Sequence, residues 1–189
     1  MKQLKVANRP FLLTLLLCCF SWHGAFADEP TKIDWESLMP QDWNPNQVFD
    51  DLTDDQYYAL SDSELMILEQ TAQAMFDAAP VVDAFEGMQV KVPGFVLPLE
   101  FSNTLLKEFL LVPYYGACIH TPPPPANQII YGNLKTGYEL ESIYLPVWIT
   151  GTLNISRSQS QLNEEGIVDS LAVQSAYSMD VELIEPYIE

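Results

Sequence analysis

Five segments rich in β-branched and aromatic residues, separated by turn-forming residues, follow Pro80. They span residues 90–99, 108–115, 128–134, 142–155 and 176–187. Short runs of this composition predict strands rather than helices. Gly94 and Gly151 each follow an alternating apolar pattern, and a glycine at such a place permits a bulge or sharp bend. We therefore expect a mainly β fold, a small β-barrel of the OB type with about five strands.

One amphipathic helix is predicted before the barrel, from about residue 63 to residue 79. Its apolar residues recur at spacings of three and four, which is typical of a helix with one apolar face. They are Leu65, Leu68, Ala72, Met75 and Phe76. Residues 28–60 are acidic and rich in turn formers, and we interpret them as an N-terminal arm. Residues 61–189 would then hold the helix and the barrel.

The first 27 residues have the pattern of an export signal. Lys2, Lys5 and Arg9 precede a short apolar run, and Ala25 and Ala27 supply small residues at positions −3 and −1 of a cleavage site. The apolar run from residue 11 to residue 20 is shorter than the roughly 20 residues of a membrane-spanning helix. We expect a periplasmic protein without a transmembrane span.

Lipid attachment is the alternative to simple cleavage, because Cys18 and Cys19 end the apolar run. A lipoprotein signal has a small residue just before the modified cysteine, whereas Leu17 stands before Cys18. Cleavage after Ala27 is therefore preferred, and the protein is expected to have no lipid anchor.

The charge balance excludes one large class of partners. The chain has 8 basic and 26 acidic residues and a formal net charge of −18. Such a surface repels a phosphate backbone, so nucleic-acid binding is not expected. A hydrophobic fraction of 48% is enough for a folded core and argues against disorder over the whole length.

Cys118 and His120 are the only cysteine and the only histidine after residue 27. In an extended segment, residues two apart point to the same face, and zinc and copper both accept a thiolate and an imidazole. A structural zinc site has four protein ligands, so this pair suits an open metal-transfer site better than a structural metal site.

Two alternatives to a metal site remain. One is a structural pair, with Cys118 buried as a small hydrophobic residue. The other is a thiol nucleophile, with Asn127 orienting the imidazole of His120. No cofactor is certain, and enzymatic activity is not expected, since neighbours on one strand rarely align a Cys–His hydrogen bond.

Four consecutive prolines follow this pair and predict a stiff polyproline II segment. The candidate partner loop comprises Pro122, Pro123, Pro124, Pro125 and Asn127. The alternative is a stiff loop that sets the course of the chain between two barrel strands.

The segment YYGACIHTPPPPANQ at residues 114–128 resembles the DUF3299 family of small exported bacterial proteins. The resemblance extends to residues 33–40, 93–100, 109–113, 147–153 and 176–179. It implies a periplasmic or lipoprotein location. Some members are encoded beside ABC-transporter genes, including zinc-responsive clusters, which implies an accessory role in transport or metal handling.

The residues and the resemblance together predict a non-catalytic exported accessory protein. The Cys118–His120 edge and the proline loop would face a transporter component, another periplasmic protein or a metal ion, in transport or zinc homeostasis. The alternative is a small-molecule or peptide-binding module in which Cys118 and His120 are purely structural.

Overall fold

The computed structural model describes residues 29–117, 123–162 and 171–188. The strands are β1 (Thr31–Lys32), β2 (Met88–Ser102), β3 (Leu105–Val112), β4 (Ile130–Tyr138), β5 (Val147–Leu162) and β6 (Leu171–Pro186). The last five close into a barrel in the order β2-β3-β4-β6-β5, with β5 pairing back to β2. All barrel pairs are antiparallel except β4–β6. The predicted five-stranded OB-like barrel is confirmed.

Gly94 is the corner at which β2 changes partner. β2 pairs with β5 from Met88 to Gly94 and with β3 from Phe95 to Ser102. A Cβ atom at Gly94 would lie 2.8 Å from the Val112 carbonyl oxygen, so any side chain would force the two strands apart. At Gly151 the register of β5 against β6 shifts, as expected for a bulge. Both glycines therefore have the roles that their positions predicted.

Two apolar clusters lie on the two faces of the barrel wall. Phe109 and Leu111 of β3 belong to the interior cluster, whereas Leu110 and Val112 belong to the other. Successive strand residues point to opposite faces, so the second cluster lies outside the barrel. Val173, from the far half of the β5–β6 hairpin, belongs to this outer cluster. The hairpin therefore packs over the outside of β3.

Among the described residues, three α-helices precede the barrel: α1 (Gln47–Asp50), α2 (Asp54–Tyr58) and α3 (Asp62–Asp77). α3 matches the predicted helix. It begins with a capping box in which the Ser61 backbone N–H donates to the Glu64 carboxylate at 2.8 Å. α1 and α2 have only four and five residues. Helices that short show no apolar periodicity, which is why only one helix was predicted.

The first described residues pack along the barrel. β1 pairs with β2 in parallel, and the Ile33 backbone N–H donates to the Lys91 carbonyl at 3.0 Å. Leu38 is completely buried, and its carbonyl accepts a hydrogen bond from the Tyr177 hydroxyl at 2.9 Å. Across the part of the chain that the structure describes, no helix combines the length and the apolar character needed to cross a membrane.

Candidate functional site

An aromatic surface lies at one end of the barrel, where β2 and β3 pair at Phe95–Val112 and β5 and β6 pair at Val147–Pro186. We call it the aromatic rim. It consists of Trp35, Phe95, Tyr115, Tyr144, Trp148 and Tyr187. The topology brings these residues together from the arm, from the corner of β2, from the start of β5, from the end of β6 and from two loops. The barrel itself therefore assembles the surface.

Ring contacts and a shallow recess make the rim continuous. The Tyr115 ring lies 6.1 Å from the Phe95 ring and 5.3 Å from the Tyr144 ring, between centroids. The Trp148 and Tyr187 rings stack at 5.3 Å. A recess of about 240 Å³ joins the two groups. It is lined by Trp35, Pro93, Gly94, Phe95, Pro113, Pro146 and Tyr187.

Several rim residues are open to solvent. Tyr115 is 45% exposed, Tyr144 64% and Tyr187 37%. Scattered apolar residues on a surface are ordinary, but a contiguous patch marks an interaction site. Tyrosine and tryptophan suit such a surface because each has an apolar ring and a polar group.

Two lysines lie at the Trp148 side of the rim. The ammonium groups of Lys32 and Lys91 are 5.5 and 5.6 Å from the Trp148 ring centroid, which is within the range of a cation–π interaction. Lys91 also forms an ion pair of 2.5 Å with Glu185. Two of the 8 basic residues of the chain therefore lie together here, and their charge distinguishes this surface from the acidic remainder of the protein.

The predicted Cys118–His120 pair lies outside the described residues, as do Pro122 and the cleavage-site residues Ala25 and Ala27. The described chain reaches Ala117, which is buried in the outer apolar cluster. Tyr115 of the rim stands three residues before Cys118 in sequence. The rim and the predicted pair are therefore neighbours along the chain.

The described part of the proline loop turns inward. Pro124 and Asn127 are buried, while Pro123 and Pro125 are half-buried. The Asn127 side-chain amide donates to the Pro80 carbonyl at 2.8 Å, and the Gln128 amide donates to the Trp35 carbonyl at 2.8 Å. This loop therefore joins the linker after α3 and the arm to the barrel. Among the described residues of the candidate partner loop, only Pro123 and Pro125 have surface that a partner could contact.

Side chains that could ligate a metal do not cluster within the described ranges. No group of three or more possible metal ligands comes together there. A wide cleft of about 830 Å³ lies between residues 34–43 and residues 81–85. Its Asp34 carboxylate accepts from the backbone and the hydroxyl of Ser37, which lowers the pKa of Asp34. That carboxylate is already engaged as a turn-stabilising group.

Sequence patterns did not identify the rim. Phe95, Trp148 and Tyr187 were counted only as strand residues, because aromatic residues are common in strands. The usable signal is that Pro93, Pro113 and Pro146 each lie within two residues of an aromatic residue, since a proline inside or beside a strand marks an edge or an end.

Comparisons with known proteins agree with the sequence motif. The family model DUF3299, a protein family of unknown function, matches residues 35–186. A crystal structure of a DUF3299 family protein from Pseudomonas aeruginosa PAO1 is 34% identical in sequence, with a TM-score of 0.60. That match covers 85% of this chain and 98% of the other chain. No curated protein matches. The chain therefore belongs to the DUF3299 family.

Proposed function

We propose that this chain is an exported, non-catalytic accessory protein that binds another protein through the aromatic rim. The single observation that carries the proposal is the exposure of contiguous rings at one end of a closed barrel. Tyr115 and Tyr144 are each at least 45% exposed while their rings stay in contact. Aromatic residues of this kind dominate the binding energy of protein interfaces.

The chemistry of the rim supports binding rather than catalysis. It offers ring faces, proline side chains and the Lys91–Glu185 ion pair. These groups stack, exclude water and attract charge. A nucleophile held against a base, the arrangement that covalent catalysis uses, is not part of the rim.

The partner we favour is a transporter component or another periplasmic protein. Some DUF3299 members are encoded beside ABC-transporter genes, and the export signal predicted in residues 1–27 would bring this chain to the same compartment. Cys118 and His120 follow the rim residue Tyr115 in sequence, and we propose them as an open site for zinc or copper that works alongside the rim.

At the rim, the alternative of a small-molecule binding module has less support from the geometry. The rim recess measures about 240 Å³, whereas ligand pockets usually measure about 300–1,000 Å³ and enclose most of the ligand. A shallow recess bordered by exposed rings suits a side chain of a partner protein better than a whole ligand.

Site-specific photo-crosslinking in cells tests the protein-binding proposal. A photoreactive residue replaces Tyr115, Tyr144 or Trp148, and matched controls carry it at Tyr58 or Phe101, which are 84% and 48% exposed. We expect the three rim positions to give an adduct with the same periplasmic protein, absent at the control positions. Adducts that do not differ between rim and controls would contradict the proposal.

Native mass spectrometry tests the metal site separately. We expect one zinc or copper ion per chain after titration, and loss of that ion in both Cys118→Ser and His120→Ala. A chain that binds no metal, or a variant that keeps it, would remove the metal from the proposal and leave the rim unaffected.

A further inference from the structure

The longest helix among the described residues has an apolar face that the barrel does not cover. α3 has 16 residues, about 24 Å at the usual rise, yet Ala72 is its only buried residue. Leu65, Leu68 and Phe76 are half-buried. Because a helix of this length draws most of its stability from packing an apolar face, α3 has room for a further partner.

A groove runs between α1 and α3. It has a volume of about 550 Å³ and is lined by Phe49, Glu69, Gln70, Ala72, Gln73 and Phe76. Met66 lies on the same helix face, one turn before Gln70, and is 57% exposed. The groove therefore continues along α3 as an apolar track, the form in which an amphipathic helix docks.

The charge around this groove selects its occupant. Residues 47–77 contain eight acidic residues and neither lysine nor arginine. Seven of the eight are exposed. Arg157 donates to the Asp77 and Ala79 carbonyls at the end of α3, and it is not among the residues that line the groove. A docked helix with lysines and arginines beside its apolar stripe would meet a complementary surface.

We propose that the α1–α3 groove docks a cationic amphipathic helix of a partner protein. The surface shares no residue with the aromatic rim, so this inference does not rest on the proposed function. A second copy docked through its own residues 47–77 is a poor occupant, because that segment brings the same eight acidic residues and no basic ones. Charge repulsion would then oppose the apolar contact.

Binding of designed peptides to the purified full chain tests this inference. The probe is an 18-residue helical peptide with a leucine stripe flanked by lysines. One control replaces its lysines with glutamates, and a second keeps the composition but scrambles the stripe. We expect the lysine peptide to bind at least tenfold more tightly than either control, with an affinity that falls as salt is added.

Charge-reversal variants locate the site. Glu69→Lys in the groove should weaken binding about fivefold, while Glu141→Lys, an exposed change of equal charge outside residues 47–77, should weaken it less than twofold. Met66→Ser should also weaken binding, with an unchanged melting temperature, because Met66 is largely exposed.

Four results would overturn the proposal. Equal binding of the scrambled peptide would show attraction by charge alone, and equal effects of Glu69→Lys and Glu141→Lys would place the peptide elsewhere. Self-association lost in Met66→Ser, measured by sedimentation, would make a second copy the occupant. In a precursor that keeps residues 1–27, a crosslink from position 73 to residues 1–20 would assign the groove to the chain's own basic N-terminal segment.

Discussion

Tyr177 joins three parts of the chain through one hydroxyl group. Its Oη atom donates to the Leu38 carbonyl at 2.9 Å and accepts from the Val82 backbone N–H at 2.7 Å. The side chain is completely buried, and this burial raises the pKa of its hydroxyl. The arm and the linker after α3 are therefore both tied to β6 at one atom.

Replacing Tyr177 with phenylalanine should lower the free energy of unfolding by about 1–3 kcal/mol, because it leaves the Val82 N–H without its acceptor. Urea denaturation followed by circular dichroism measures the change. The control Tyr58→Phe, at a residue 84% exposed, should leave the midpoint unchanged. A loss below about 0.5 kcal/mol at Tyr177 would mean that water replaces both bonds.

Tyr131 of β4 should titrate at unusually high pH. Burial is the largest cause, followed by its hydrogen bond to the Glu108 carboxylate, and together they raise its pKa to about 12. Since the folded pKa lies above the unfolded value of 10.0, the neutral hydroxyl stabilises the fold fully below pH 10. That contribution is lost as the pH rises from 10 to about 12.

Ultraviolet titration of the tyrosines checks this expectation. The wild-type chain should show a step near pH 12 that is absent in Tyr131→Phe and moves to lower pH in Glu108→Gln. A Glu108→Gln curve identical to the wild type would show that the carboxylate does not control the titration.

At the scale of the elements, Arg157 of β5 links the end of α3 to the barrel. The Arg157 guanidinium of β5 donates to the carbonyls of Asp77 at 2.8 Å and Ala79 at 2.5 Å. Carbonyls at the end of a helix have no partner within it, and a cation there also interacts favourably with the helix dipole. Arg157 therefore caps α3 and connects it to the hairpin.

Arg157→Met should loosen the last turn of α3 without disturbing the barrel. We expect amide hydrogen exchange in residues 74–79 to accelerate about tenfold or more, while residues 90–97 keep their protection. Lys135→Met removes a cation from β4 and serves as the control. Uniform acceleration in helix and barrel would instead show that Arg157 stabilises the whole fold.

The elements could be predicted to different degrees, for physical reasons. All five barrel strands were predicted. Alternating apolar residues indicate a strand with one buried face, and glycines such as Gly94 indicate where that strand bends. β5 continues to Leu162, past the predicted end at residue 155, since its serine- and glutamine-rich extension is held by pairing with β6 and by the outer cluster.

The candidate site was harder to predict than the strands. Burial of Asn127 and assembly of the rim depend on contacts between segments that are distant in sequence, and a local sequence pattern does not encode such contacts. The Cys118–His120 pair stands out because it holds the only cysteine and the only histidine after residue 27, and its role as a metal site stays a prediction.

At the scale of the whole molecule, the export signal predicts both the first residue of the mature chain and the compartment in which the protein is found. The Ala25 and Ala27 site should give a mature N-terminus at Asp28 and a protein released by osmotic shock. Replacing Cys18 and Cys19 with serine should then leave the mature mass and the fractionation unchanged. Membrane fractionation with an N-terminal mass measurement decides, and a lipid on either cysteine would refute the prediction.

Folding of the barrel should not need a metal ion. Its interior cluster draws apolar residues from all five barrel strands, among them Val92, Phe109, Ile130, Ile149 and Met179. Burial of this surface supplies the driving force for folding. A structural zinc site, by contrast, supplies about 10–16 kcal/mol of folding free energy. An open site with the two ligands Cys118 and His120 would bind metal on a domain that is already folded.

Chelator and reductant together should therefore shift the melting temperature by no more than about 2 °C, which corresponds to less than about 1 kcal/mol for a chain of this size. Scanning calorimetry of the purified protein, with and without EDTA, measures the shift. Cys118→Ser should melt at the wild-type temperature, and added zinc should raise the melting temperature of the wild type but not of the variant, since a ligand bound only by the folded state stabilises it. Loss of cooperative unfolding under EDTA would mean that the metal holds the fold together, and Cys118 and His120 would then be structural ligands rather than a transfer site.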